Sequence, residues 1–187
     1  MGLSNRSHQD FAIGKDEPIA VLFAPETVPI IDIFRALGDF EEHYDIGALD
    51  TLEDRLTRRM SRDLAKGIVS DALLLAFGLR RERSQPIAYR PVQSRRGSLD
   101  EYRLLALMGA TYWHDFVLAS EVAASLEINH PQPLVSLAFD IARRLEAAGL
   151  KLEAPDPRLF RSKVDRTTVE VSREAMMSQD LKLNFDF

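Results

Sequence analysis

The sequence contains no cysteine among its 187 residues. Disulfide bonds, thiolate nucleophiles and cysteine-based zinc sites are therefore excluded. Long apolar runs are also missing, since no segment approaches the roughly 20 apolar residues that span a bilayer, and the N-terminal segment lacks the apolar core of a secretory signal. These absences predict a soluble, cytoplasmic protein without membrane contact. A hydrophobic content of 45% is enough for one folded domain or two small ones.

Motifs for catalysis and cofactor binding are equally scarce. The sequence has no Gly-x-x-x-x-Gly-Lys loop, no Gly-x-Gly-x-x-Gly turn and no Gly-x-Ser-x-Gly elbow. His43 and His114 each stand beside acidic residues, but neither has the His-x-x-x-His spacing that places two metal ligands on one helix face. We therefore expect no metal, no cofactor and no enzymatic activity, although catalytic groups can converge from distant positions.

Hydrophobic patterning predicts a short strand and two helices in the first half of the chain. Residues 18–24 form a β-branched and aromatic run, which indicates a buried strand. Thr27 can cap the first helix, and Asp50 or Thr51 can cap a long second helix over residues 52–79. Apolar residues recur at steps of four in its first part, so their stripe rotates around the axis and a straight helix would need partners on changing sides.

Five cations occupy the opposite face of this predicted long helix. Their spacing of i, i+3, i+4, i+7 and i+11 places them on one narrow stripe, where like charges repel. They are Arg55, Arg58, Arg59, Arg62 and Lys66. The surrounding region, residues 55–96, holds 11 basic and three acidic residues, and it includes Arg80, Arg81, Arg95 and Arg96. Residues 1–54 hold three basic and 12 acidic residues. The whole chain has a net charge of −5, but its central segment, residues 55–96, is strongly basic.

Three interpretations of the basic stripe remain open. The acidic N-terminal segment can fold over the stripe and neutralise it at the surface, with little gain in stability. Alternatively, the stripe can bind a nucleic-acid backbone, where each neutralised phosphate releases counterions. The third interpretation is contact with an acidic protein partner, including another copy of this chain.

The second half of the chain begins with an expected linker. Residues 84–97 contain two prolines and a glycine, which favour an extended segment. Ser98 and Glu101 then form a capping-box pattern that opens a helix ending near Trp113.

Residues 117–152 predict two helices, a turn and a strand. Ser120 suits the N-cap of the first helix, and Pro133 suits the first turn of the second. Apolar residues then recur at three- and four-residue steps, and Gly149 lies where a C-cap glycine belongs. The strand is expected at residues 150–153.

This stretch resembles the winged helix-turn-helix superfamily. The residues that match its pattern, in order, are Val122-Ala123, Leu126, Ile128, Val135-Ser136 and Leu145-Glu146-Ala147-Ala148-Gly149-Leu150. The sequence departs from the pattern at Glu127, where the superfamily has a turn glycine, and in a longer turn and a longer second helix. Because the same spacing serves any packed pair of helices, a generic helical hairpin is the alternative.

The resemblance implies that the start of the second helix meets base edges in the major groove. This chain presents Asn129, His130, Gln132 and Ser136 there, and no cation occurs before Arg143. The resemblance also implies a wing hairpin over residues 158–171, whose cations either contact phosphate or remain solvated.

Apolar and polar residues alternate over the end of the sequence, which predicts a strand with one apolar face. Such an edge pairs either with this protein's own sheet or with a partner's sheet. The apolar residues are Leu181, Leu183, Phe185 and Phe187.

These patterns predict a mainly α (α+β) protein in four parts. The parts are a helical N-terminal region with a short strand (1–83), a linker (84–97), a winged-helix-like region (98–173) and a β-type docking tail (174–187). The expected function is a non-catalytic nucleic-acid-associated regulator or accessory subunit that binds a DNA or RNA backbone through the basic helix and the neighbouring arginines. The alternative is a structural or adaptor subunit that contacts only proteins or copies of itself.

Overall fold

The computed structural model describes residues 21–43 and 46–165. Within these residues the chain forms seven helices and one two-stranded antiparallel sheet, so the mainly α class is confirmed. In chain order the elements are β1 (Val21–Leu22), α1 (Val28–His43), α2 (Ile46–Thr57), α3 (Arg62–Glu82), β2 (Arg96–Gly97), α4 (Leu99–Tyr112), α5 (Phe116–Ser125), α6 (Pro131–Ala147) and α7 (157–165).

Helix α6 lies between α3 and α4 and forms the centre of the packing. It runs antiparallel to α3, because Gly78 of α3 packs on Leu134 while Asp71 pairs with Arg144 nearer the other end of α6. The apolar stripes of α1, α3, α4 and α6 join in one buried cluster that also includes Leu152 and Phe160. One hydrophobic core thus contains residues from both sides of the segment 84–97.

The small sheet joins the start of the described chain to α4. Val21 pairs with Gly97 and Leu22 with Arg96, and the Phe23 amide donates to the Arg95 carbonyl at 2.8 Å. A Cβ on Gly97 would lie 2.5 Å or less from the Phe23 ring, so only glycine allows the strands to pack this closely. The strand predicted over residues 18–24 is therefore seen as two paired residues, while residues 18–20 lie outside the described part.

The predicted long helix over residues 52–79 is wrong, because two helices occupy this region. Helix α2 ends at Thr57 and α3 begins at Arg62, after the N-cap residue Ser61, whose side chain accepts the Leu64 amide at 3.4 Å. The break removes the difficulty of a rotating apolar stripe, because each shorter helix packs its own face against the core. It also relieves the stacking of like charges along one helix.

Helix caps account for the boundaries around α4, α5 and α6. The capping box of Ser98 and Glu101 is confirmed, and Trp113 is the C-cap of α4. Ser120 is not the N-cap of α5, because Asp115 caps that helix by accepting the Leu118 amide at 3.0 Å. Helix α6 begins at Pro131 rather than near Pro133, since proline at the first helical position needs no amide partner.

The strand predicted at residues 150–153 is wrong, since residues 150–156 have no regular secondary structure. The wing hairpin predicted over residues 158–171 is wrong in its first part, because residues 157–165 form a helix. Asp156 begins this helix by accepting the amides of Arg158 and Leu159 at 2.8 and 3.4 Å, and Pro157 follows it at the first helical position.

Several expectations concern residues that the structure leaves undescribed. The second strand of the wing (167–171) and the docking tail (174–187) lie outside the described residues. The predictions for Leu181, Leu183, Phe185 and Phe187 therefore remain predictions.

Candidate nucleic-acid interface

The turn between α2 and α3 carries the five cations of the predicted stripe. They do not lie along one helix: Arg55 is in the last turn of α2, Arg58 and Arg59 are in the connecting turn, and the other two begin α3. All five side chains are exposed. We call this set the cation corner: Arg55, Arg58, Arg59, Arg62 and Lys66.

Backbone hydrogen bonds hold the cation corner in shape. The amides of Arg59 and Met60 both donate to the Leu56 carbonyl, at 2.9 and 3.1 Å, so the chain turns sharply at the end of α2. Leu56 is buried and Met60 packs partly against the core, and these two contacts fix the turn to the hydrophobic core. The cations on either side of these anchors therefore project from a fixed backbone.

Few acidic groups neutralise the cation corner. The Arg62 Nε lies 3.6 Å from a Glu53 carboxylate oxygen, but the Arg62 side chain is 76% exposed, so this contact is weak. Among the carboxylates whose side chains the structure describes, which leave out those of residues 39 and 41–45, none forms an ion pair with Arg55, Arg58, Arg59 or Lys66. The described side chains therefore leave most of the positive charge of the corner unneutralised.

An open pocket of about 570 Å³ adjoins the cation corner. Arg55 lines it together with small residues of α1 and α2 and two residues of the segment that precedes β2. The lining residues are Ala36, Gly47, Ala48, Thr51, Leu52, Arg55, Val92 and Gln93. The pocket thus links the corner to the segment that carries Arg95 and Arg96.

A buried ion pair holds that segment in place. Arg35 of α1 is fully buried, and its Nε and Nη2 donate to the two carboxylate oxygens of Glu101 at 2.7 and 3.0 Å. Its Nη1 and Nη2 also donate to the carbonyls of Ser94 and Arg96, at 2.7 and 3.2 Å. Burial alone lowers the pKa of Arg35, but the hydrogen bonds and charges of Glu101 and Asp32 outweigh burial and raise it above its usual value. Arg35 therefore remains charged and fixes the backbone that displays Arg95 and Arg96.

Glu101 uses the rest of its hydrogen-bonding capacity on backbone groups. Its carboxylate accepts the Ser98 amide at 2.9 Å and the Arg90 amide at 2.8 Å. Asp32 accepts the Gln93 amide at 3.0 Å, and Gln93 has a positive φ of 67°. The segment from Arg90 to Ser98 is thus tied down at several points, with the exposed side chains of Arg95 and Arg96 on its outer side.

Arg80 and Arg81 lie far from the cation corner. Both are exposed in the last turn of α3, and at 1.5 Å per residue they lie about 27 Å along the helix from Arg62. The nine cations predicted to bind nucleic acid therefore occupy three places: the cation corner, the segment before α4 and the far end of α3.

The start of α6, expected to read base edges, carries a carboxylate. Glu82, at the end of α3, accepts the amides of Asn129 and His130 at 3.1 and 3.2 Å, and it lies 3.3 Å from the His130 Nδ1. Burial raises the pKa of Glu82, but the hydrogen bonds from His130 and Asn129 outweigh burial and hold it below the usual value. The Glu82 carboxylate accepts the amides of Asn129 and His130, which are then no longer free to bind phosphate. Its negative charge also neutralises the positive end of the α6 dipole.

A second carboxylate lies in the turn before α6. Glu127 stands at the position of the superfamily's turn glycine and has a positive φ of 60°. Its carboxylate accepts the Ser84 hydroxyl at 2.8 Å and the Ser84 amide at 3.3 Å, and these hydrogen bonds lower the pKa of Glu127. The α5–α6 turn is therefore acidic and bonded to the end of α3.

Sequence reasoning missed Arg35, Glu82 and the ion-pairing role of Glu101. A signal existed for Arg35, since it follows Ile31 by one helical turn and thus belongs to the apolar face of α1. Its partner is 66 residues away in the sequence, so the pair itself leaves no local pattern.

Searches against protein-family models, curated proteins and solved structures found no match to this chain. Over the described residues, no cluster of three or more histidine, aspartate or glutamate side chains could hold a metal ion. None of the helices in the same residues is both long enough and apolar enough to cross a membrane.

Proposed function

We propose that this protein is a non-catalytic nucleic-acid-associated regulator or accessory subunit that binds the phosphate backbone through the cation corner. The observation that carries this proposal is the grouping of five exposed cations at the α2–α3 turn, of which Arg62 alone has a described carboxylate within ion-pair distance. Such a surface attracts polyanions without regard to sequence, because each phosphate contact releases condensed counterions.

One further feature supports this surface. The backbone of the turn is hydrogen bonded, so little order has to be imposed on it when a ligand binds.

The start of α6 does not belong to the proposed surface. Glu82 and Glu127 place two carboxylates there, and both would repel phosphate. The proposal therefore rests on backbone binding by the α2–α3 turn and not on base reading by a recognition helix.

Binding of labelled single- and double-stranded DNA and RNA oligonucleotides, measured by fluorescence anisotropy at several salt concentrations, tests the proposal. The test variant replaces Arg58, Arg59 and Arg62 with Ala. A matched control replaces Arg143, Lys151 and Arg158 with Ala, which removes the same charge from exposed positions elsewhere. We expect the test variant to lose about one unit of the log–log salt slope per phosphate contact removed, while the control retains the wild-type slope.

Two results would refute this function. One is the absence of wild-type binding near physiological salt. The other is equal weakening in both variants, which would mean that net charge rather than the cation corner determines the affinity.

A structural or adaptor role is the second candidate, and exposed apolar residues favour it. Phe116 and Val117, at the start of α5, are 63% and 70% exposed, and Trp113 beside them is also exposed. Adjacent large apolar groups are typical of protein contact sites. Unrelated nucleic acids would displace a ligand from the cation corner but would not compete with a protein bound at these residues.

A further inference from the structure

Helix α3 has an outward face of exposed side chains along most of its length. Its buried residues are Ala65, Ile68, Val69, Ala72, Leu75, Ala76 and Leu79, which face α1, α2 and α6. At 100° per residue, the exposed residues fall on the opposite arc. They are Arg62, Asp63, Lys66, Ser70, Leu74, Phe77, Arg80 and Arg81, and we call this set the α3 outer face.

The middle of the α3 outer face is apolar. Leu74 is 54% exposed and Phe77 is 41% exposed, and Leu73 beside them is only partly buried. Leu74 and Phe77 are three residues apart, so their side chains are neighbours on the helix surface. This is the spacing at which an amphipathic helix offers anchors to a partner helix.

Both ends of the α3 outer face are basic. Arg62 and Lys66 lie at one end and Arg80 and Arg81 at the other, while Asp63 is the one acidic residue among the eight. Arg81 lies 3.8 Å from Glu82, but its side chain is 80% exposed, so this contact leaves its charge largely available. A phosphate backbone would leave the apolar middle unused, whereas a helix with an apolar centre and acidic ends would match the whole face.

A second copy of this chain fits the face poorly. In a parallel pair every cation would face its own equivalent. In an antiparallel pair centred between Leu74 and Phe77, Lys66 and Arg81 of opposite copies would lie within about one helical turn of each other. Both arrangements bring like charges together on an exposed surface, which is unfavourable.

The undescribed ends of the chain do not supply the missing acidic charge. Residues 1–20 contain three acidic and two basic residues, and residues 166–187 contain four acidic and three basic residues. Each end is thus nearly neutral, against four cations on the α3 outer face. A partner protein can supply the complementary acidic charge.

We propose that the α3 outer face binds an amphipathic helix of a partner protein that has apolar residues at its centre and acidic residues at both ends. This proposal goes beyond the proposed nucleic-acid function, although the α3 outer face and the cation corner share Arg62 and Lys66. The variants that test it therefore change neither residue.

A designed peptide provides the probe, used with the full chain. It is a labelled helix of about 20 residues, long enough to cover about 30 Å, with leucines at the centre of one face and glutamates at both ends of that face. A second peptide carries lysine at every glutamate position. The protein variants are Leu74→Ser with Phe77→Ser, and Arg80→Glu with Arg81→Glu. The control variant is Leu22→Ser, which removes an apolar side chain of greater exposure in β1.

We expect the acidic peptide to bind the wild type and the Leu22→Ser control equally in fluorescence anisotropy. Loss of either the apolar pair or the arginine pair should weaken binding by about tenfold or more, as for central contacts of small interfaces. The lysine peptide should bind the wild type no more tightly than the acidic peptide binds these two variants. Circular dichroism should show wild-type helix content in all variants, because the changed side chains are exposed.

Three results would overturn the proposal. The first is failure of the acidic peptide to bind the wild type, and the second is equal binding of both peptides. The third is a concentration-dependent dimer in analytical ultracentrifugation that the Leu74→Ser, Phe77→Ser variant loses, which would assign the face to a second copy. Loss of nucleic-acid binding in the cation-corner variant bears on none of these results, so the two proposals can fail separately.

Discussion

Two parts of this protein, each made of two consecutive helices and the turn between them, have opposite electrostatic character. The α2–α3 turn is surrounded by the exposed side chains of the cation corner. Glu127 lies in the α5–α6 turn and accepts the Ser84 amide, while Glu82 at the end of α3 accepts the amides of Asn129 and His130. The motif that resembles a DNA-reading unit is therefore the less suitable of the two for phosphate. Local charge, rather than helix order, decides which turn can meet a polyanion.

The two units also differ in how they are held in the fold. Helix α6 packs between α3 and α4, and the hydrogen bonds of Glu82 and Glu127 join the α5–α6 turn to the end of α3 and to Ser84 just after it. The α2–α3 turn extends from the core on the anchors Leu56 and Met60. A surface that extends from the core in this way can approach a large ligand, whereas a helix between two others has little free surface.

The largest predicted effect concerns the buried pair that supports the segment next to the cation corner. Changing Glu101 to Gln leaves the Arg35 charge buried and poorly compensated, so we expect the free energy of unfolding to fall by about 3–5 kcal/mol. Urea unfolding measures this change. In a double-mutant cycle, Arg35→Met combined with Glu101→Gln should lose less stability than the sum of the single changes. Strictly additive losses would contradict a direct pair. Arg96→Ala, at an exposed position nearby, is the control and should change stability little.

The helix caps give a smaller effect that compares the start of α5 with the start of α3. Asp115 caps α5 at 3.0 Å, whereas Ser61 caps α3 at 3.4 Å in an exposed position. Removing an N-cap side chain costs about 0.5–2 kcal/mol, and the shorter, charged contact should lie at the upper end of that range. Urea unfolding should therefore find Asp115→Ala more destabilising than Ser61→Ala. The reverse order would indicate that the α2–α3 turn depends on its cap more than the geometry implies.

Local sequence patterns predicted the features that depend on a few neighbouring residues. The Ser98 capping box is confirmed, and Gly149 has the positive φ of 79° that a helix-ending glycine adopts. The end of α4 and the apolar stripe of α6 were also evident from spacing alone. Each of these depends on contacts within one or two helical turns, which a periodic pattern records.

The missed features depend on contacts between distant parts of the chain. The spacing of apolar residues over 52–79 fits one helix or two, and packing of α2 and α3 against α1 selects two. The Arg35–Glu101 pair spans 66 residues, and Glu82 reaches Asn129 across 47. The exposure of the cation corner was predictable from its charge, but its division between two helices and a turn was not.

The smallest predicted effect is the pH dependence of the acidic turn. Hydrogen bonds from His130 and Asn129 lower the folded-state pKa of Glu82, so this group stabilises the fold above its unfolded pKa of about 4.3. That contribution is lost as the pH falls through the folded pKa. Glu82→Gln should therefore lose stability at pH 7 and approach the wild type at pH 3, as measured by urea midpoints across this range.

Glu26→Gln, at an exposed position, is the matched control and should follow the wild-type curve. If Glu82→Gln instead runs parallel to the wild type at every pH, the Glu82 charge adds nothing at the α6 terminus. The acidic character of the α5–α6 turn would then rest on Glu127.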